Sequence, residues 1–218
     1  MKLKILSLQD VHIMNLKYHQ EQKQVFDRIY EHAAKEKPDY ITILGDVFHT
    51  KGTISPEAYQ IAADFFKTLA GFAPVHIILG NHDLILSNKN RLDTVTPVVE
   101  ALNHPNIFLH KKSKEIQLDD KFTFNVMAID DKENWSKPTD PSKVNIALFH
   151  GSIAGATING TFKLQHGDIE VETLTGNDFV LMGDIHEHQQ VECPEWYEEK
   201  EIDDEQLPKW LEQGWEIA

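Results

Sequence analysis

Five short segments of this 218-residue sequence stand out for chemistry: Asp10-Val11-His12, Gly45-Asp46-Val47-Phe48-His49, Gly80-Asn81-His82-Asp83, His150-Gly151 and Gly183-Asp184-Ile185-His186. Their donors are carboxylates, imidazoles and one amide, with no thiolate. That mixture suits a catalytic Mn, Fe or Zn centre better than a structural zinc site, which favours cysteines. Glycines before Asp46, Asn81 and Asp184, and after His150, let the backbone turn tightly around the ions. Asp10 and His12 are two apart and would point the same way on a regular strand.

Each segment follows a predicted strand. Residues 2–8 alternate like a strand, 40–44 form a short β-branched run, and 75–79 form a third buried run. Between them, residues 20–35 place Val25, Phe26, Ile29, Tyr30 and Ala33 on one helical face. A second helix opens with Ser55 as N-cap and Pro56 at its first position, carries Ile61, Phe65, Phe66 and Leu69 as a stripe, and stops near Gly71. A third helix is expected over 97–102. Strand and helix thus alternate through the first hundred residues, which predicts a parallel α/β sheet with functional loops at the strand C-termini. Beyond them, 115–118 and 122–129 flank Asp119-Asp120-Lys121 as a hairpin, and 144–149 and 178–182 are buried runs. Five strand ends would then deliver metal-capable side chains to one sheet edge.

This set of motifs resembles the signature of calcineurin-like metallophosphoesterases over about residues 1 to 190. Within that family, GDVFH and the GNHD context are most similar to the SbcD-type DNA-repair nucleases, including phage and giant-virus members. The resemblance implies an α/β fold: a four-layer αββα sandwich of two mixed sheets flanked by helices, with a two-metal site. It assigns Asp10, His12 and His186 to one ion, Asn81, His150 and Asp184 to the other, and Asp46 to both. His82 would face the substrate as a catalytic group, and His49 would contact phosphate or orient the substrate. The last motif departs from the usual GHxH by carrying Asp184, and hard oxygen ligands favour Mn or Mg. The implied cofactors are two divalent ions, Mn first, with Mg, Fe or Zn as alternatives.

The implied activity is hydrolysis of DNA phosphodiesters, exo- or endonucleolytic, on single strands or ends, in repair and recombination. Lys17, Lys51, Lys89 and Arg91 follow the metal motifs and would rim the same edge as phosphate contacts, which position without reading sequence. Two other readings stay open: hydrolysis of cyclic nucleotides or other small phosphodiesters, and a weakly catalytic subunit of an ATPase–nuclease complex. An SbcC-like ATPase and a homodimer are the expected protein partners. Asp83 is expected to orient its loop, and His19, His32, His76, His104, His110 and His166 to lie on the surface or behind the site, while the sequence gives little weight to Asn15 as a substrate contact. His188, two residues after His186, is expected to have no part in the site, with a place behind it as the alternative.

Composition sets the remaining bounds. The net charge of -14 argues against a generic nucleic-acid or anionic-membrane binder, but says nothing of where charge sits. One cysteine, Cys193, excludes an internal disulfide framework and fits a reducing compartment. Nothing reads as a signal peptide or a membrane span, so the expected location is the cytoplasm of a bacterium, or of a host if the protein is a phage one. Residues 1–191 are expected to form the catalytic domain. The segment 192–218 holds ten acidic residues against two lysines, with Trp196, Trp210 and Trp215, and reads as a separate protein-docking feature in place of the family's cap.

Overall fold

The computed structural model describes residues 3–158, 162–186 and 189. The acidic segment from 192, with Cys193, and His188 lie outside the described residues.

The first half folds as expected, by alternation. Strands β1 (Ile5–Leu8), β2 (Tyr40–Leu44), β3 (Val75–Ile78) and β4 (Ile107–His110) pair in that order, all parallel. Helices α1 (His19–Glu36), α2 (Pro56–Ala70) and α3 (Thr96–Leu102) make the crossovers. Ser55 caps α2, its hydroxyl accepting the Ala58 N–H at 3.2 Å. Gly71 ends the helix at φ −74°, so no left-handed turn is needed there. Phe26 of α1 stacks on Phe65 of α2 with ring centres 4.1 Å apart. Val25, expected on the buried face of α1, is 51% exposed, because one residue along a helix turns about 100° away from Phe26. Strand β4 was not among the expected strands, and Phe108 within it is 41% exposed.

The second sheet is mixed. The hairpin of β5 (Lys114–Gln117) and β6 (Phe122–Met127) turns through Asp119, whose carboxylate accepts the N–H groups of Lys121 and Phe122 at 2.7 and 2.9 Å. Strand β7 (Val144–His150) lies parallel to β6. After a small hairpin of β8 (Thr157–Ile158) and β9 (Phe162–Lys163), β10 (Phe179–Gly183) adds parallel to β7. Two sheets flanked by helices are therefore present, the first parallel throughout and the second mixed. Leu44 and Ile78 of one sheet pack against Phe124, Val126, Ile146 and Leu148 of the other. Burying each such side chain contributes about 1.5–3 kcal/mol. The outer face of the second sheet is covered by loops and two 3-10 turns, Lys132–Asn134 and Val171–Leu174. No helix among the described residues is long and apolar enough to cross a membrane.

Two histidines correct the sequence reading. His76 and His110, expected at the surface or behind the site, are each 5% exposed and lie between the sheets. His76 Nδ1 stands 3.0 Å from His110 Nε2, and the His76 ring packs on Tyr40, Phe108 and Phe124. Burial, aided by Lys114, lowers His76 to about 4; burial, then His76 and Lys114, lowers His110 to about 3.

Candidate metal centre

The C-terminal ends of β1, β2 and β3 share one edge because those strands are parallel, and the ends of β7 and β10 meet them there. The two sheets are tied at that edge: His150, the last residue of β7, donates from Nδ1 to the carbonyl of Leu44 at 2.7 Å. Beyond the strands the first two loops keep pairing, with the N–H groups of His12 and Ile13 on the carbonyls of Asp46 and Val47 at 2.9 and 2.8 Å. Asp10 and His12 do not continue a regular strand, as two-residue spacing suggested. Strand β1 stops at Leu8, and both residues are left-handed, at φ 52° and 48°. Asp46 and Asp184 are left-handed too, at φ 53° and 84°. Such conformations cost L-residues about 1–2 kcal/mol each and gather at functional sites. Four proposed ligands share this strain.

Glycine matters here for space. A Cβ on Gly80 would collide with the Asp46 carboxylate and sit 2.8 Å from His150 Cε1. Gly45 is left-handed, and its Cβ would lie 2.5 Å from His150 Nδ1.

The seven expected ligands converge. Asp46 lies at the centre, with Oδ2 3.6 Å from His12 Nε2 and Oδ1 3.4 Å from His150 Nε2. Its two oxygens thus address the two ligand sets separately, the geometry of a bridging carboxylate. On one side, ligand atoms of Asp10, His12 and His186 lie within 4.8 Å of one another, and the equally close group of Asp10, Asp46 and His150 joins that side to the other. On the other, Asp184 Oδ1 is 3.7 Å from His150 Nε2 and accepts the Asn81 side-chain N–H at 2.9 Å. The backbone N–H of Asp184 is shared between both Asp10 oxygens at 3.1 Å.

These residues fit divalent ions. His150 is fully buried, its Nδ1 is spent on Leu44, and its Nε2 has no hydrogen-bond partner among the described residues. A buried imidazole nitrogen 3.4 and 3.7 Å from the oxygens of two carboxylates suits a divalent cation. Burial holds the carboxyls of Asp10 and Asp184 above their ordinary range, and neighbouring Asp46 pushes both further the same way. Burial, then the His82, His186 and His49 imidazoles, lowers His12 to about 4, against the pull of Asp46, leaving it neutral and able to ligate.

His82 stands beside this set. Its backbone N–H donates to Asp46 Oδ1 at 2.8 Å, and its Nδ1 donates to the carbonyl of His49 at 2.7 Å. The Nδ1 proton is thereby fixed, and Nε2 is the end left to face a substrate. The rings of His12, His49 and His82 lie 5.0–5.8 Å apart, centre to centre. Asp83 orients the loops: Oδ1 accepts the N–H groups of Val47 and Phe48 at 3.0 and 3.4 Å, and Oδ2 that of Gly80 at 2.9 Å. Burial raises its carboxyl to about 7.

Around the edge, Asn15 acts as a bracket. It donates to the carbonyl of Thr53 at 2.9 Å and accepts the Ser55 N–H at 2.8 Å, joining the first and second loops. The expected cations separate. Lys89 donates to the carbonyl of Asp130 at 2.8 Å and faces Glu133 at 3.9 Å. Lys17, Lys51 and Arg91 are exposed, and their side chains make no ion pair or hydrogen bond among the described residues. Leu16 and Tyr18, 73% and 60% exposed, flank Lys17, a feature the sequence reading missed. Their type alone suggested burial.

The profile of the calcineurin-like phosphoesterases matches residues 3–214. The chain is 38% identical over 199 residues to uncharacterized protein R555 of Acanthamoeba polyphaga mimivirus, an alignment covering 85% of this chain. It spans 15% of the length of that relative. Among solved structures it is similar to the Pseudomonas putida nuclease MPE, at 17% identity and a TM-score of 0.39, over 73% of this chain and 66% of that one. That structural likeness is too distant to bear on function. With the profile spanning nearly the whole sequence and the motif residues gathered at one sheet edge, the chain belongs to the calcineurin-like phosphoesterase family, metal-dependent hydrolases of phosphate esters.

Proposed function

We propose that the chain is a DNA phosphodiesterase of SbcD type that works with two Mn ions. The observation that carries this reading is the centre itself: Asp46 directs one oxygen to each of two ligand sets, with the His82 ring beside it, held through Nδ1. Asp10, His12, Asp46 and His186 would hold one ion, and Asp46, Asn81, His150 and Asp184 the other. Bound there, divalent ions polarise a phosphodiester and bring the pKa of water toward neutrality.

The protein's own contribution is position and proton supply. The bond from the His82 N–H to Asp46 Oδ1 keeps that ring registered to the centre. The His49 carbonyl keeps the Nδ1 proton in place, so Nε2 exchanges a proton with the leaving oxygen. The exposed His49 ring lies on the same side and would touch the substrate phosphate. Lys17, Lys51 and Arg91, on the adjoining loops, would hold flanking phosphates, and Tyr18 beside Lys17 offers a face on which a base can stack. Partners such as an SbcC-like ATPase or a second copy belong to this proposal as expectations.

The −14 net charge favours a second reading, turnover of small phosphodiesters. The test uses Mn-loaded protein on end-labelled single- and double-stranded DNA, a cyclic nucleotide and bis-p-nitrophenyl phosphate. DNA is expected to be cut with His82→Ala lowering turnover about 100-fold or more while two ions per chain remain bound. Cleavage of the small esters alone would move the assignment to the second reading. Loss of the ions in His82→Ala would remove its role as proton donor.

A further inference from the structure

Two buried polar atoms near the centre have no hydrogen-bond partner among the described residues: Nδ1 of His12 and Oε1 of Gln22. The two residues are already in contact. Gln22 stands in the first turn of α1, its backbone N–H on the Tyr18 carbonyl at 2.8 Å, and its side-chain Nε2 donates to the His12 carbonyl at 3.2 Å. The unpartnered Oε1 is therefore one amide width from a nitrogen bonded to His12. The amide cannot be turned over, because a carbonyl requires its N–H end. His12 has reason to be held. Its backbone is left-handed, at φ 48°, and its N–H is tied to the Asp46 carbonyl at 2.9 Å while its own carbonyl is tied to Gln22. Its ring directs Nε2 to Asp46 Oδ2 at 3.6 Å. When Nε2 gives its lone pair to a cation, Nδ1 carries the ring proton. A ligating imidazole almost always donates that proton to an acceptor, which fixes its tautomer and its rotation. His150 does so on the Leu44 carbonyl at 2.7 Å. For His12 the unspent acceptor at hand is Gln22 Oε1.

We propose that Gln22 is a positioning residue for the ion assigned to Asp10, His12, Asp46 and His186. Its amide holds His12 at two points, Nε2 on the carbonyl and Oε1 on the Nδ1 proton, the latter directly or through one water. Gln22 touches neither ion nor substrate and acts through His12. The proposal rests on the two-metal reading above and adds to it a residue outside the five motifs. Its place on a packed helix suits the role, because Phe26, one turn further along α1, is buried and stacked on Phe65 of α2. A support that comes from a helix holds a ligand more closely than one that comes from a loop.

The experiment titrates the full chain with Mn by calorimetry and counts bound Mn per chain, for wild type, Gln22→Leu, Gln22→Ala and Gln22→Glu, with circular dichroism of the metal-free proteins as the check on folding. Leu keeps the bulk and removes both amide bonds. Ala removes them too and is the best helix former, so α1 keeps its start. Glu keeps an acceptor for the Nδ1 proton and gives up the donor to the carbonyl. Wild type should bind two Mn ions. Gln22→Leu and Gln22→Ala should bind one of the two about 10–100-fold more weakly and the other as wild type does. Gln22→Glu should recover most of that loss, because a carboxylate on Nδ1 raises the basicity of the ligating nitrogen. Wild-type affinity for both ions in folded Gln22→Leu and Gln22→Ala would overturn the proposal. So would an equal weakening of both ions, which marks a general brace of the fold. A loss in Gln22→Glu as large as that in Gln22→Leu would overturn the contact between Oε1 and Nδ1. A wild-type chain that binds no Mn would instead sink the two-metal reading itself.

Discussion

Acid should weaken this fold through His76 and His110, and the size of the effect follows from their burial. Both rings lie between the sheets, hydrogen-bonded to each other at 3.0 Å. Their folded values, about 4 and about 3, sit below the ordinary imidazole value of 6.5. Above pH 6.5 both are neutral in folded and unfolded chains, and their contribution is constant. As pH falls below 6.5 the unfolded chain takes up protons that the folded chain refuses, so stability is lost, down to the folded values. At pH 5 both folded values are still lower, so the loss depends only on the distance from 6.5 to 5. Each ring then costs about 2 kcal/mol and the pair about 4 kcal/mol, a large share of a typical 5–15 kcal/mol. Urea unfolding of metal-free protein at pH 7.5 and pH 5.0 measures this. His76→Leu with His110→Leu removes both titrating groups together and orphans neither partner. The double variant should lose about 4 kcal/mol less than wild type between the two pH values. His12, also lowered to about 4, contributes equally to both proteins and cancels. An equal loss in wild type and double variant would refute the reasoning.

Two further substitutions probe how the centre is held. Gly80→Ala drives a methyl into Asp46 and to 2.8 Å from His150 Cε1. It should cost about 1–3 kcal/mol by overpacking and about 100-fold in kcat by moving the bridging carboxylate, read by urea unfolding and steady-state turnover. Unchanged kcat would show that the close approach is unnecessary. Asp83→Asn places an amide N–H against the N–H of either Gly80 or Val47 and Phe48. A stability loss of about 1–3 kcal/mol, with lower turnover as the His82 loop shifts, is expected in the same two assays. Wild-type unfolding and turnover would remove the clamp role.

The candidate donor residues were legible before the fold because their motifs are local in sequence. Asp10, His12, Asp46, Asn81, His82, Asp184 and His186 follow short apolar strands and His150 ends one, and parallel pairing must bring such strand ends to one edge. The capping of α2 by Ser55 and the turn at Asp119 were equally readable, since each depends on residues two or three apart. What depends on contacts between distant segments was not. Nothing within β3 or β4 says that His76 and His110 meet between two sheets, because each looks like a polar break in a short apolar run. Lys89 looked like its fellow loop cations until the fold placed the Asp130 carbonyl against it. The left-handed turns at Asp10 and His12, the division of the Asp46 oxygens between two ligand sets, and the grip of Asn81 on Asp184 all arise where one sheet closes on the other. Donor types and their spacing along the chain therefore set which chemistry is possible. The packing of two sheets at a common edge decides which donor faces which ion, because those distances join residues more than a hundred positions apart.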